Sequence, residues 1–218
     1  MKKRKNIITV AIDSPAAAGA GTQAKLIAKH YNLQHLDTGR IYRLIGKLKL
    51  ENPKKFSLLL VKKKIKRIKI KDLNNKNLLS DKVATSAASV AKNKKIRNIV
   101  HNFQQKCAYC PPMKYAGSIL DGRDIITVQI KDAMFKFFIT ASLETRAKRR
   151  FMEFKALKKK ISYKEVLKSL KNRDKSDRKR KHGPLKKTKD SILINTTKLS
   201  KKRCFKKIKA IMDRKLKN

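Results

Sequence analysis

The segment 13–22, with the sequence DSPAAAGAGT, has the composition of a phosphate-binding loop. It follows an apolar run at 7–12 and precedes apolar residues at helical spacing over 23–31, so strand, loop and helix are predicted in that order. Small residues let the main chain wind around an anion, and the positive end of the following helix would face that anion. The pattern favours binding of a nucleotide phosphate, with an ordinary tight turn as the alternative.

The loop departs from the consensus G-x-x-x-x-G-K-[ST] at three places. Ser14 replaces the first glycine, Ala20 occupies the lysine position, and Gly21 stands where Ser or Thr is expected, with Thr22 one residue later. The missing lysine leaves open whether the chain catalyses phosphoryl transfer or only binds a nucleotide. We expect the loop backbone still to bind phosphate, with Lys25 or one of the arginines near 173–180 supplying the charge.

Charge is the second unusual feature, because 60 Lys and Arg residues against 15 Asp and Glu residues give a net charge of +45. Lysines occur throughout the chain with no separate basic tail, which favours compositional drift over non-specific RNA binding as the cause of the charge. Few aromatic side chains are present for base stacking, which lowers the weight of RNA binding. Ten of the 14 arginines fall in the blocks 40–43, 97–123 and 146–180. Arginine binds phosphate through a rigid fork that lysine lacks, so these blocks predict sites where geometry matters.

Apolar runs and helical patterns alternate along the chain and predict the α/β class, with a parallel five-stranded sheet between helical layers. Ligands of such sheets lie beyond the carboxyl ends of the strands. Strands are predicted at 7–12, 33–36, 118–120, 135–139 and 191–194, with a further period-2 segment at 64–71. Helices are predicted at 23–31, 38–50 and 86–106, after Ser142, from Ser162 to near Arg173, and from about Ser200.

Six sequence blocks, in order, resemble nucleoside monophosphate kinases, and specifically bacterial cytidylate kinases, over almost the whole chain. They are IDSPAAAGAGT, LDTGRIYR (36–43), LDGRDIITV (120–128), FKFFITASLETRAKRR (135–150), RDKSDRKR (173–180) and NTTKLS (195–200). The segment AGAGTQA is also similar to adenylate kinases. The resemblance implies one three-layer P-loop kinase domain over 1–218, with its core at 1–50, 83–172 and 190–218. A shortened acceptor-binding insertion at about 51–82 and a mobile lid at about 173–189 complete the implied domain.

The function implied by this resemblance is transfer of the γ-phosphoryl group of ATP to CMP or dCMP, giving ADP and CDP or dCDP. ATP and Mg²⁺ are the implied cofactors, and a cytoplasmic monomer is expected. The alternatives are a catalytically weakened nucleotide-binding protein, because of Ala20, and an adenylate-kinase-like specificity.

The resemblance also implies roles for individual residues. The catalytic residues would be Arg123, Arg173, Arg178 and Arg180. The cofactor would be bound by Ser14, Pro15, Ala16, Ala17, Ala18, Gly19, Ala20, Gly21, Thr22 and Arg149. The acceptor would be bound by Asp37, Thr38, Arg43, Arg97, Asp124 and Asp177. No residue is predicted as a dedicated metal ligand, although a nucleotide and Mg²⁺ role is favoured for Asp121 and Asp124.

Simpler structural roles compete with these assignments. Asp37 and Thr38 could simply cap the helix that follows them and take no part in binding. Arg146, Arg149 and Arg150 could form a solvated basic face, and the segment 173–189 could be a disordered loop.

Other signals predict no site. The pair Cys107 and Cys110 lacks the second ligand pair that a structural zinc site needs. The four histidines show no carboxylate partner at an interpretable spacing. Three cysteines suit a reducing compartment, and the apolar stretches are too short for a membrane span.

Overall fold

The computed structural model describes residues 3–217, so Met1, Lys2 and Asn218 lie outside the described residues. The strands are β1 (Ile8–Asp13), β2 (Leu33–Asp37), β3 (Gly117–Gly122), β4 (Phe135–Thr140) and β5 (Ile192–Asn195). The α-helices are α1 (Ala20–His30), α2 (Thr38–Glu51), α3 (Leu58–Arg67), α4 (Asp81–Val90), α5 (Lys94–Tyr109), α6 (Leu143–Ala156), α7 (Tyr163–Lys179) and α8 (Lys201–Lys217). Two 3₁₀ segments (Ile70–Asn74 and Lys76–Leu79) and a π-helical turn (Ile125–Gln129) complete the chain.

All five strands form one parallel sheet in the order β2-β3-β1-β4-β5, which confirms the predicted α/β class. The central strands are apolar on both faces because helices cover both faces. One core contains Ala11, Leu36 and Leu120 with residues of α2, α3 and α5, whereas the other contains Ile12, Ile119 and residues of α1 and α8. None of the helices in residues 3–217 combines the length and the apolar character needed to span a bilayer.

Side-chain caps begin several of the helices where the sequence predicts them. Ser142 accepts a hydrogen bond from the N–H of Thr145 at the start of α6. Ser162 and Glu165 form a reciprocal capping box at the start of α7. Each such cap satisfies main-chain N–H groups that have no partner within the helix, and removal of a cap typically costs about 1 kcal/mol.

The predicted strand at 64–71 is wrong, because this region forms the end of α3 and the first 3₁₀ segment. Ser57 caps α3, and Val61 and Ile65, four residues apart, are buried together. The helix packs against α5 and thereby covers one end of the core. The alternation of apolar and basic residues around Ile68 and Ile70 therefore does not indicate a strand. The helical spacing of the preceding apolar residues decides the local structure.

Two helix boundaries also differ from the predicted ones. The helix predicted at 86–106 is two helices, α4 and α5, separated by a turn in which Asn93 caps α5. Helix α7 does not end near Arg173 but continues to Lys179. The first seven residues of the segment predicted as a lid, 173–179, are therefore helical, and only 180–189 are irregular.

Candidate active site

The loop between β1 and α1 consists of main chain and small side chains at the carboxyl edge of the sheet. Ala17 (φ 60°) and Gly19 (φ 91°) both adopt the left-handed backbone region. Gly19 is the N-cap residue of α1 and offers no side chain to its N–H groups. The free N–H groups at this helix start and the positive end of its dipole suit an anion.

One arginine of α6 joins this loop to α7. Arg146 donates to the carbonyl of Ala16 (3.3 Å) and pairs with Asp174 through both of its Nη atoms (3.1 and 2.6 Å). Its side chain is only 5% exposed. A solvated basic face is therefore the wrong interpretation for Arg146, which is a buried connection between two parts of the site.

A second arginine of α6 lies beside the loop. Arg149 donates to the hydroxyl (2.9 Å) and the carbonyl (2.7 Å) of Thr196. The Thr196 hydroxyl donates in turn to the carbonyl of Ala18 (2.9 Å). The Nη1 atom of Arg149 lies 4.0 Å from the position that a Cβ on Gly19 would take. The structure thus places Arg149 beside the loop, with which the sequence groups it as a predicted cofactor-binding residue.

Ala20 is buried in an apolar cluster with Ala24 and Ile27, so the loop lacks an ammonium group at this position. Lys25, the first candidate to replace that charge, is exposed and forms no hydrogen bond or ion pair within residues 3–217. The positive charge near the loop comes from arginines on other elements.

Asp121, at the end of β3, lies between the loop and β2. Its Oδ1 atom is 2.6 Å from Nε2 of His35, and its Oδ2 atom is 3.5 Å from the position of a Cβ on Gly21. His35 thus has a carboxylate partner that no interpretable spacing in the sequence indicates. The two residues are 86 positions apart in the chain, and only the pairing of β2 with β3 brings them together.

Asp13, at the end of β1, faces the opposite side of the sheet. Its two carboxylate oxygens accept from the N–H groups of Ile125 (2.8 Å) and Ile126 (3.0 Å). Burial raises the pKa of Asp13 to about 7, against the lowering effect of these two hydrogen bonds. This carboxylate fixes the π-helical turn that follows Asp124.

Asp124 is the centre of a set of buried polar contacts. It pairs with Arg97 and Arg180, and it accepts from the Gln129 amide (3.2 Å). Gly183 (φ 60°) lies against this pair, because a Cβ there would be 2.4 Å from Oδ2 of Asp124 and 2.6 Å from Nη2 of Arg97. The segment after α7 therefore covers Asp124.

Asp177 on α7 is the second carboxylate surrounded by arginines. It accepts from Nε of Arg123 (2.9 Å) and pairs more loosely with Arg173 (3.8 Å) and Arg180 (4.0 Å). The charge of Arg123 is the main cause that lowers the pKa of Arg173 to about 10, and the Arg173 side chain itself is about half exposed. The guanidinium groups are thus held close together although they repel one another.

We refer to Arg97, Arg123, Arg173, Arg180, Asp124 and Asp177 as the arginine–aspartate cluster. Its four guanidinium groups and two carboxylates leave an excess of two positive charges. A phosphate monoester carries roughly −1.5 to −2 charges at neutral pH. The cluster thus has the charge of a receptor for one phosphate group.

Tyr42 belongs to this region but is absent from the residues singled out in the sequence. Its hydroxyl is buried and has no hydrogen-bond partner within residues 3–217. Burial raises the pKa of this hydroxyl to about 12, and the charges of Arg97, Asp124 and Arg180 act on it. The position of Tyr42 in the LDTGRIYR block, four residues after Thr38, was the signal that could have identified it.

The remaining predicted site residues differ in how closely they are held in the structure. Asp37 caps α2 and pairs with Arg40, so the capping role is confirmed for it. The Thr38 hydroxyl donates to the carbonyl of Asp121 (2.8 Å), and Arg43 donates to the carbonyl of Leu78 (2.9 Å). Arg178 is exposed and forms no ion pair or hydrogen bond within residues 3–217, and Thr22 is also exposed.

Comparisons with known proteins identify the family. A model of the cytidylate kinase family matches residues 10–214. The chain belongs to the cytidylate kinase family. The cytidylate kinase of Fusobacterium nucleatum is 41% identical over 204 residues, which cover 88% of this chain and 91% of that protein. The cytidylate kinase of Clostridium botulinum (strain Loch Maree) is 37% identical and covers 95% of this chain and 98% of that protein.

Solved structures agree with this cytidylate kinase family chain in fold. An uncharacterized protein from Eubacterium ventriosum has a TM-score of 0.54 at 20% identity and covers 94% of this chain and 98% of its own. The protein TT1252 from Thermus thermophilus has a TM-score of 0.51 at 15% identity, with coverage of 96% and 98%. The resemblance to the cytidylate kinase family is confirmed. Because the chain belongs to the cytidylate kinase family, it is an enzyme of the kinase type, a phosphotransferase.

Proposed function

We propose that this enzyme transfers the γ-phosphoryl group of ATP to CMP or dCMP, giving ADP and CDP or dCDP. The observation that carries the proposal is the arginine–aspartate cluster, which holds two excess positive charges. Its Arg123 follows Gly122, whose carbonyl accepts from the N–H of Ser14 at the start of the loop. Phosphoryl transfer asks a protein mainly for positioning and for positive charge around the moving group. The relatives named as cytidylate kinases support the choice of acceptor.

The donor side of the proposed site is the loop 14–22. Its main-chain N–H groups would bind the phosphates of ATP, and Arg149 would add charge beside Gly19. Main-chain groups keep their positions regardless of side-chain rotamers, so this part of the site is preorganised. The replacement of a lysine by Ala20 therefore removes a charge but leaves the main-chain cradle in place.

The residues near the loop also suit Mg²⁺ carried by a nucleotide. Mg²⁺ usually keeps several waters and binds one or two carboxylates together with substrate phosphates. Oδ2 of Asp121 lies 3.5 Å from the Cβ position of Gly21, the residue before Thr22 in the first turn of α1. Residues 3–217 contain no group of three or more His, Cys, Asp or Glu arranged to hold a metal ion. When bound, Mg²⁺ neutralises charge on the donor phosphates.

The acceptor side is the arginine–aspartate cluster. Arg123 and Arg173, which both face Asp177, would hold the acceptor phosphate beside the transferring phosphoryl group and would stabilise the charge on both. Asp124 has about four lone-pair positions, of which three are used by Arg97, Gln129 and Arg180. One position on Oδ1 remains for a donor such as the exocyclic amine of cytosine. Uracil has no such donor, so Asp124 would favour cytosine.

The proposed lid is the segment 173–189. It consists of the end of α7 and an irregular segment that follows it. In this segment Leu185 is buried and donates its N–H to the carbonyl of Asp177 (2.8 Å). Gly183 covers Asp124 and Arg97. Closure of this segment over both nucleotides would exclude water and so protect the phosphoryl group from hydrolysis.

The proposed acceptor-binding insertion is the segment 51–82. It supplies main-chain acceptors for two arginines of α2, because Leu73 binds Arg40 (2.8 Å) and Leu78 binds Arg43 (2.9 Å) through their carbonyl oxygens. The insertion would therefore position Arg43 for the acceptor.

A coupled assay of ADP release tests this function with CMP, dCMP, UMP and AMP as acceptors. We expect CMP and dCMP to support turnover and UMP to be at least tenfold poorer in kcat/KM, because loss of a buried hydrogen-bond partner is costly. The reaction without an acceptor serves as the control. CMP-dependent ADP release no higher than this control would contradict the proposal, and a preference for AMP would contradict the assigned acceptor.

We also propose that the enzyme is a cytoplasmic monomer. Cys107, Cys110 and Cys204 are free, which suits a reducing compartment. Light scattering on a sizing column is expected to give the mass of one chain, 25.1 kDa. A mass of two chains would contradict the monomer.

A further inference from the structure

The pair formed by His35 and Asp121 is not explained by the chemistry assigned so far. His35 lies on β2, opposite Ile119 of β3, so Asp121 is two residues further along the same face. The Nε2–Oδ1 distance is 2.6 Å, and the side chains are 18% and 12% exposed. Such a short contact between two largely buried groups fixes the orientation of both.

The two oxygens of Asp121 point to different neighbours. Oδ1 contacts His35, whereas Oδ2 lies 3.5 Å from the Cβ position of Gly21, in the first turn of α1. The Asp121 carbonyl accepts from Thr38 (2.8 Å), which fixes the main chain of the same residue. The carboxylate is thus held from the β2 side and presents its second oxygen to the phosphate loop.

The neighbouring carboxylate does not compete for the histidine. Asp37, on the same face of β2, accepts from the N–H and the Nε of Arg40, both at 3.3 Å. Arg40 in turn binds the insertion through Leu73. The imidazole of His35 therefore has one carboxylate partner, Asp121.

We propose that His35 is a positioning residue that orients Asp121 towards the Mg²⁺ of a bound nucleotide. In this arrangement the Nε2–H group donates to Oδ1, and Oδ2 faces the metal and its waters. Groups that orient metal-binding carboxylates typically contribute about 10-fold to 100-fold to metal affinity. The inference rests on one part of the proposed function, namely that the loop binds a nucleotide that carries Mg²⁺.

The test compares ADP binding by calorimetry in the presence of Mg²⁺ and in the presence of EDTA. His35→Leu removes the donor and keeps an apolar side chain, whereas His35→Gln keeps an N–H donor at a similar reach. We expect His35→Leu to weaken ADP binding about tenfold with Mg²⁺ and less than twofold with EDTA. His35→Gln is expected to restore most of the loss, and Asp121→Asn to reproduce it.

The matched control is His30→Leu, which changes a histidine at the opposite end of α1 that contacts Tyr31 and Phe205. This variant is expected to bind ADP like the unmodified enzyme under both conditions. Equal weakening of ADP binding with Mg²⁺ and with EDTA in His35→Leu would show a merely structural role and overturn the inference. Failure of His35→Gln to restore binding would overturn it as well.

The outcomes separate this inference from the proposed function. Binding of ADP is measured without an acceptor, so a missing CMP-dependent turnover would contradict the proposed function and leave the binding test valid. Identical affinity of the unmodified enzyme for ADP with Mg²⁺ and with EDTA would overturn the inference alone.

Discussion

The loop 14–22 and the arginine–aspartate cluster, the two proposed anion-binding regions, are built in opposite ways. The loop 14–22 uses main-chain groups and contributes almost no functional side chains, whereas the cluster consists of six charged side chains from four parts of the chain. Such a loop keeps its main-chain N–H groups when a side chain differs, as at position 20, where Ala20 occupies the lysine position of the consensus. The cluster depends on the type and place of each side chain, so its residues have to be retained together.

The largest effect is expected from removing a guanidinium group of the cluster. Arg123→Ala should lower kcat by about 10³-fold, as arginines that stabilise a transferring phosphoryl group do. Arg203→Ala, which removes an exposed arginine of α8, is the control and should leave kcat within about twofold. Steady-state kinetics with saturating CMP decide the matter. A loss below tenfold in Arg123→Ala would mean that the cluster does not supply the charge for transfer.

A smaller but still large effect is expected on stability where the loop joins α7. Arg146→Ala leaves Asp174 without its buried partner, and breaking such a pair costs about 3 kcal/mol. Arg150→Ala removes an exposed pair with Glu153 on the same helix and should cost less than about 1 kcal/mol. Urea unfolding of the two variants measures the difference. Equal free energies of unfolding would contradict the assignment of Arg146 as a buried connection.

A modest effect is expected from restoring the missing lysine. Because the arginines already supply positive charge, Ala20→Lys should raise kcat by less than about tenfold, equivalent to about 1.4 kcal/mol. His30→Lys, at the exposed last residue of α1, provides a control for adding a lysine to the same helix. An increase of several orders of magnitude in Ala20→Lys alone would show that the cluster does not compensate.

The smallest effect is expected from relieving the backbone of the loop. Ala17 has φ 60°, a region that costs an L-residue about 1–2 kcal/mol relative to glycine. Ala17→Gly should therefore raise the free energy of unfolding by up to about 1 kcal/mol, with part of the gain lost to the greater freedom of the unfolded chain. Ala16→Gly, at a residue that is not left-handed, should instead be destabilising. Thermal unfolding of the pair tests the sign.

The sequence predicts the sheet well because most of its strands contain a short apolar run followed by turn-forming or polar residues. All five predicted strands lie within two residues of the observed ones. The strand predicted at 64–71 failed because the alternation around Ile68 is local, whereas burial of Val61 and Ile65 depends on α5. The end of α7 was placed too early because its charged residues give no apolar periodicity.

The site is only partly readable from the sequence. Strand ends indicate Asp37, Asp121 and Asp124, because parallel strands end at one edge of the sheet. The partners of these carboxylates could not be predicted, since Asp121 meets His35 across 86 positions and Asp124 meets Arg180 across 56. These pairings depend on side-chain reach between elements, which spacing along the chain does not encode.

Helix α7 is one continuous rod from Tyr163 to Lys179, with Val166 and Leu170 buried near its beginning and Asp177 near its end. At 1.5 Å per residue, Asp177 lies about 16 Å along the axis from Val166. A rotation of about 10° around the buried end would shift Asp177 by about 3 Å, which is as long as its hydrogen bond to Arg123. A tilt of this size would separate Asp177 from Arg123. It would also move Arg173 and break the pair between Arg146 and Asp174, because both residues lie on the same helix.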